Sequence, residues 1–257
     1  MKLNFKSGVL LALTAAAFLA TFQLPAQDQP EAFHHFADDR KLLGVQNLLN
    51  VISNLPFLLI SAYGFVLLKR IPYSPAIRLI YAMLFLGVGL TALGSAYYHY
   101  NPNNETLVWD RLPLTVIFMA TTCAAIAELI DPKLGQRLLF PLLFLGAGSV
   151  FWWSLTQQNG FGDLRLYFFL QYYPMVFIPV LLLLYYKPVH RPILLGLTAV
   201  VSWYVVAKLF EHWDIPIYRA TTLSGHTLKH LAAAISAGYF VVLYKKRGTL
   251  DVTTRQS

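Results

Sequence analysis

The chain has 257 residues, 57% of them hydrophobic and only 12% charged, against about 25% charged in an ordinary soluble domain. That balance excludes a typical soluble enzyme. The net charge of +8 lies in short clusters between apolar runs, not on the one basic face that nucleic-acid binding requires. The lone Cys123 excludes an intrachain disulfide and a multi-cysteine metal site.

Residues 1–27 carry Lys2 and Lys6, then an apolar run over 8–24, then Pro25 and Ala26. This is a signal peptide or a first transmembrane helix, and either delivers residue 28 to the outer side. Residues 28–49 are polar and mixed, and read as an external segment lying at the interface. Seven apolar runs follow, at 50–68, 76–99, 110–130, 138–155, 166–186, 192–210 and 224–244. Each is near the ~20 residues that cross a bilayer. The expected fold is therefore all-α: a polytopic membrane helix bundle with seven core transmembrane helices plus an N-terminal signal-like helix. Residues 50–245 form the membrane domain and 246–257 a polar, disordered cytoplasmic tail. Pro174 and Pro179 are expected to bend the fifth core span.

Charge placement orients the bundle. With the N-terminus inside, Lys69, Arg70, Arg78, Lys133, Arg137, Lys187, Arg191 and Lys245 to Arg247 fall on the inner side. Arg40, Lys41, Arg165 and Arg219 fall outside, with Arg111 at the mouth of a span. This is the asymmetry of the positive-inside rule.

The chemistry gathers at the outer ends of three spans. Ser95 and His99 lie four residues apart, so they share one helical face. Asp110 opens the next span, and His226 and His230 form a second i, i+4 pair at the start of the last. Ionisable groups in a span are costly in lipid and face the protein interior. His99, His226 and His230 are read as ligands of one zinc ion, which takes three protein ligands and a water in a catalytic site. Asp110 is placed to take a proton from water or to orient a histidine, and Ser95 to donate a hydrogen bond to a developing oxyanion. His34, His35, His190 and His212 fall in loops and read as ordinary polar side chains. Lys208 and Lys229 are expected to snorkel towards an interface, and Asn50, Ser53 and Asn54 to hydrogen-bond across helices. Glu211 and Asp214 lie on the same side by spacing alone.

Three function classes are compatible with this pattern. One is a zinc hydrolase. Another is a receptor or scaffold in which a closed zinc site ties helices together. The third is a proton-coupled transporter using Asp110 and the histidines, against which stands the lack of an internal repeat.

The elements Ser95-x-x-x-His99, Asp110-Arg-Leu-Pro113 and Gly225-His226-x-x-x-His230 together resemble the alkaline ceramidase family. That family belongs to a wider superfamily of seven-span membrane proteins that includes the adiponectin receptors. The segment from Asn50 to Pro56 is also similar to the ceramidase first-span motif, and the resemblance runs over about residues 36–245. It implies zinc on His99, His226 and His230, with Ser95 and Asp110 completing the site. It also implies hydrolysis of the amide bond of ceramide, or of a related N-acyl lipid, to a fatty acid and an amine. Animal members carry an acidic, tryptophan-containing calcium site near the N-terminus. Here the corresponding stretch from Phe36 to Lys41 lacks the tryptophan, and Asn47 stands where an acidic ligand aligns, which makes calcium doubtful. The short loops and signal-like start resemble a bacterial member, placed in the inner membrane with its site near the outer, periplasmic face. The implied partner is a lipid substrate; no nucleic acid is implied, and the sequence names no protein partner.

Overall fold

A computed structural model describes residues 4–71 and 73–255, with side chains up to residue 247. Lys2 and residues 256–257 of the expected tail lie outside it. The described residues form an all-α bundle. The N-terminal helix α1 spans Phe5–Gln23, and a short helix α2, Leu48–Ile52, leads into α3, Leu55–Arg70. The long helices that follow are α4 (Pro75–Tyr100), α5 (Asn104–Leu129), α6 (Pro132–Gln158), α7 (Arg165–Tyr185) and α8 (Arg191–His212). A short helix α9, Asp214–Thr221, precedes α10, Gly225–Arg255. Eight segments are long and apolar enough to cross a membrane. Large apolar side chains such as Leu59, Phe144 and Leu183 point outward from the bundle, which describes a multi-pass membrane protein with a lipid-facing belt.

Local sequence explains the helix ends. Asn4 and Ser7 make a reciprocal capping box on α1, and Asn103 and Thr106 make another on α5. Pro75 and Pro132 stand in the first turns of α4 and α6, where the missing N–H has no intrahelical partner to lose. Pro174 and Pro179 lie inside α7, which remains one continuous helix. α10 continues to Arg255, past the end expected near residue 245.

α5 is the central helix, with 67% of its apolar window buried, and it packs against α4, α6 and α7. α10 packs against α8 and α3. α1 is peripheral, with 11% buried, and lies along α7. There Thr14 and Tyr173 share a hydrogen bond of 2.6 Å and Phe18 meets Phe169 edge-on. α4 and α5 approach closely at Gly94. A Cβ there would stand 2.0 Å from the Trp109 carbonyl oxygen, so only glycine lets Ser95 and Asp110 come so near one another.

The external segment folds back over the bundle. It holds a 3₁₀ turn, Glu31–His34, and a two-stranded hairpin of β1, Lys41–Leu42, and β2, Val45–Gln46. Leu43 and Gly44 at the hairpin turn both have positive φ, as a tight two-residue turn of this hand requires.

Candidate metal centre

His99 sits in the last turn of α4, and His226 and His230 in the first two turns of α10. All three side chains are buried. The Nε2 atom of His99 lies 3.2 Å from that of His230 and 3.3 Å from that of His226. The potential ligand atoms of the three residues all lie within 4.8 Å of one another. Imidazole lone pairs converging on one point repel unless a proton or a cation sits between them, and the three rings lie close enough to bind a metal ion.

Neighbouring groups fix how the rings face. Ser53 Oγ donates to the Asn50 carbonyl at 3.0 Å and lies 2.7 Å from His230 Nδ1. With its own proton committed, the Ser53 oxygen accepts from His230 Nδ1–H, which leaves Nε2 bare towards the cluster. Thr227 Oγ1 donates to Asn50 Oδ1 at 2.7 Å, and Asn54 Nδ2 donates to the Asn50 carbonyl at 2.8 Å. The polar residues around α2 thus make the cross-helix bonds expected of them, and they brace α10. Asn47 Nδ2 donates to the His99 carbonyl at 3.1 Å, which ties the external segment to the end of α4. His99 Nδ1 has no partner among the described residues.

Asp214, which spacing alone did not distinguish, anchors α10. Its Oδ1 accepts from the His226 backbone N–H at 2.9 Å and from the Ser224 hydroxyl at 2.6 Å. Its Oδ2 accepts from the Ala37 N–H at 2.9 Å, so one carboxylate holds both the helix start and the external segment. Phe36 then lies over the cluster, its ring 4.7 Å from the rings of His99 and His226. His34, expected to be an ordinary loop histidine, is buried. Its Nδ1 lies 2.9 Å from the Tyr98 hydroxyl and its Nε2 3.1 Å from Asn104 Oδ1. Burial holds its pKa below the ordinary value. Asp38 chelates Arg40 with both oxygens, which holds the carboxyl below its usual range.

A cavity of about 540 Å³ opens beside the histidines, and Ser95, Asp110 and His230 line it. Asp110 lies within hydrogen-bonding reach of Ser95. The far wall corrects one expectation. Lys208 and Lys229 do not snorkel to an interface; both grip the Glu211 carboxylate, Lys229 at 2.5 Å, on the cavity wall. An ion cluster satisfied within the protein offsets the cost of charge at this depth, where a single extended lysine would leave Glu211 unpaired. The signal was present in the sequence, since three charged residues inside two apolar runs need partners. Phe57, Leu114 and Tyr204 are shared with a narrower apolar recess running on between the helices. His35 and His212 are exposed and His190 is part-buried at the start of α8. Comparison with protein-family models, curated proteins and solved structures finds no match to this chain.

Proposed function

We propose that this protein is a zinc-dependent membrane amidase that hydrolyses a long-chain N-acyl lipid, the activity that its resemblance to the alkaline ceramidase family implies. The observation that supports this most is the spacing of the three histidine nitrogens beside a cavity that also carries Ser95 and Asp110. Zinc–nitrogen bonds of ~2.0–2.1 Å in a tetrahedron put neighbouring nitrogens ~3.3–3.4 Å apart. Two of the three separations, 3.2 and 3.3 Å, are close to that edge, and the third pair lies within 4.8 Å. An all-nitrogen set with no thiolate suits zinc, and three protein ligands leave a position open.

Zinc bound there supplies a Lewis acid that lowers the pKa of water and polarises a carbonyl. The protein supplies the rest. The Asp110 carboxylate accepts a proton from the water that attacks the amide carbon, and returns it to the amine nitrogen as the C–N bond breaks. The Ser95 hydroxyl donates to the carbonyl oxygen as it gains charge. The apolar recess holds the acyl chain, and the polar cavity meets the amide at headgroup level. The lysine and arginine distribution supports a site towards the outer face, and the short loops and signal-like start support a bacterial inner membrane, where that face is periplasmic.

The test is Asp110→Asn, which keeps shape but removes the base. Hydrolysis of a fluorescent N-acyl lipid is expected to fall by about 10²–10⁴-fold, while the metal stays bound. Wild-type protein that carries zinc and cleaves no N-acyl lipid would overturn the reading.

A further inference from the structure

Arg111 follows Asp110 and is not used by the reaction above. Its side chain is buried, 4% exposed, yet it lines the cavity. Aromatic rings cage its guanidinium. The Cζ atom lies 4.1 Å from the ring centroid of Trp153, 4.8 Å from that of Tyr167 and 5.8 Å from that of Phe33. One terminal nitrogen donates to Gln29 Oε1, a neutral acceptor. The other, Nη1, has no acceptor among the described residues, and no carboxylate there forms an ion pair with Arg111. Trp153 Nε1, in the ring stacked on the guanidinium, is a second buried donor without an acceptor. The rings offset part of the cost of burying the charge, but a guanidinium N–H with no acceptor beside a cavity remains costly unless something is received there.

The cavity wall as a whole is formally balanced, so Arg111 is set apart by its missing acceptor and not by an excess of positive charge. Arg111, Lys208 and Lys229 line the cavity against the carboxylates of Asp110 and Glu211, with the exposed Asp28 at the rim. Glu211 is already shared by both lysines. A water molecule would satisfy a donor but not the charge. A planar guanidinium with a free N–H recognises a carboxylate or a phosphate oxygen best.

We propose that Arg111 is a headgroup subsite, and that the lipid this cavity takes carries an anionic carboxylate or phosphate rather than a neutral headgroup. The proposal rests on the reading of the cavity as a lipid site and deepens it: the substrate is an acidic N-acyl lipid. Arg111 binds the anion while the amide lies towards Ser95 and Asp110.

Binding is read first, without turnover. Metal-loaded full-length protein in neutral detergent is titrated with laurate, dodecyl phosphate, dodecanol and inorganic phosphate, and thermal shift and isothermal calorimetry report affinity. Laurate or dodecyl phosphate is expected to bind about 10- to 100-fold more tightly than dodecanol, the range for a charge-assisted hydrogen bond. Inorganic phosphate alone is expected to bind weakly, which would identify the anion as part of a lipid; binding as tight as that of dodecyl phosphate would overturn the lipid assignment in favour of a free-anion site. Arg111→Gln should abolish the preference and Arg111→Lys should restore part of it. If Arg111→Gln does not fold, Arg111→Lys and the metal-free wild type are compared on laurate and dodecanol, because a carboxylate can also bind zinc; equal affinities of the metal-free wild type for the two overturn the proposal. Hydrolysis is read second, on N-acyl amino acids and N-acyl phospholipids against ceramide of the same chain length. Equal cleavage of neutral and acidic substrates overturns the anionic subsite but leaves the amidase standing. Arg111-dependent anion binding without cleavage of any N-acyl lipid leaves the subsite standing and removes the amidase.

Discussion

Ser53 Oγ lies 2.7 Å from His230 Nδ1, on the side of the ring away from the histidine cluster. This one contact links the polar turn after α2 to the first turns of α10 and sets which nitrogen of His230 faces inward. It acts on His230 without touching the nitrogen that faces the cluster. Groups of this kind typically contribute 10–100-fold to metal affinity. Ser53→Ala is therefore expected to weaken zinc binding by about that factor and leave the fold intact, as chelator competition and far-UV circular dichroism would report. Unchanged affinity would mean that Ser53 packs without orienting.

The histidines themselves give a stronger result. His226→Ala with His230→Ala removes two of the three converging nitrogens. Zinc measured by elemental analysis is expected to fall from about one per chain to near zero. Retention in the double variant would locate the metal elsewhere.

Gly94 lets α4 and α5 touch. Gly94→Ala forces a Cβ against the Trp109 carbonyl, which belongs to the backbone and cannot rotate away. Overpacking of this kind costs about 1–3 kcal/mol, so a lower melting temperature in detergent is expected. Activity should fall with it, since Ser95 and Asp110 separate when the helices do. Gly148→Ala on α6 is the control, because a Cβ there meets nothing within 4 Å. It is expected to be neutral or stabilising by under ~1 kcal/mol.

The external segment should loosen in mild acid. Burial depresses the pKa of His34 from its ordinary value, against smaller upward pulls from Asn104 and Glu31. The folded protein thus binds that proton less readily than the unfolded chain. The neutral ring's contribution is full above pH ~6.5 and is lost as pH falls below it. Asp38 has the opposite charge but the same sign of slope. Its carboxyl is held low by Arg40, so that clamp persists until pH falls below ~4. Hydrogen exchange over residues 31–47, corrected for intrinsic rate, should therefore rise between pH 7.5 and 5.5, and His34→Gln should remove that rise. A rise that begins only below pH 4 would point to Asp38 instead.

Orientation is open to a direct measurement. A reporter after Arg247 is expected on the cytoplasmic side and one in the 101–105 loop on the outer side. The reverse would turn the metal cluster to the inner face.

The sequence by itself determined the membrane class, the all-α fold and the position of every long helix. Apolar length and charge spacing are local properties, and a bilayer converts them directly into spans. It also picked out His99, His226 and His230, because a histidine inside an apolar run is unusual wherever it occurs. The tertiary structure decided what those residues meet. Asp110 comes within hydrogen-bonding reach of Ser95 where Gly94 lets the backbones of α4 and α5 approach closely. Lys208, Lys229 and Glu211 form one ion cluster, and Asp214, Ser53 and Phe36 surround the three clustered histidines. Apart from the local Lys208–Glu211 pair, these contacts join residues separated by about ten to nearly two hundred positions, and their meeting depends on helix rotation and on the fold-back of the external segment. Neither is written in the periodicity of any single stretch, because in lipid every face of a long apolar helix satisfies the same hydropathy pattern.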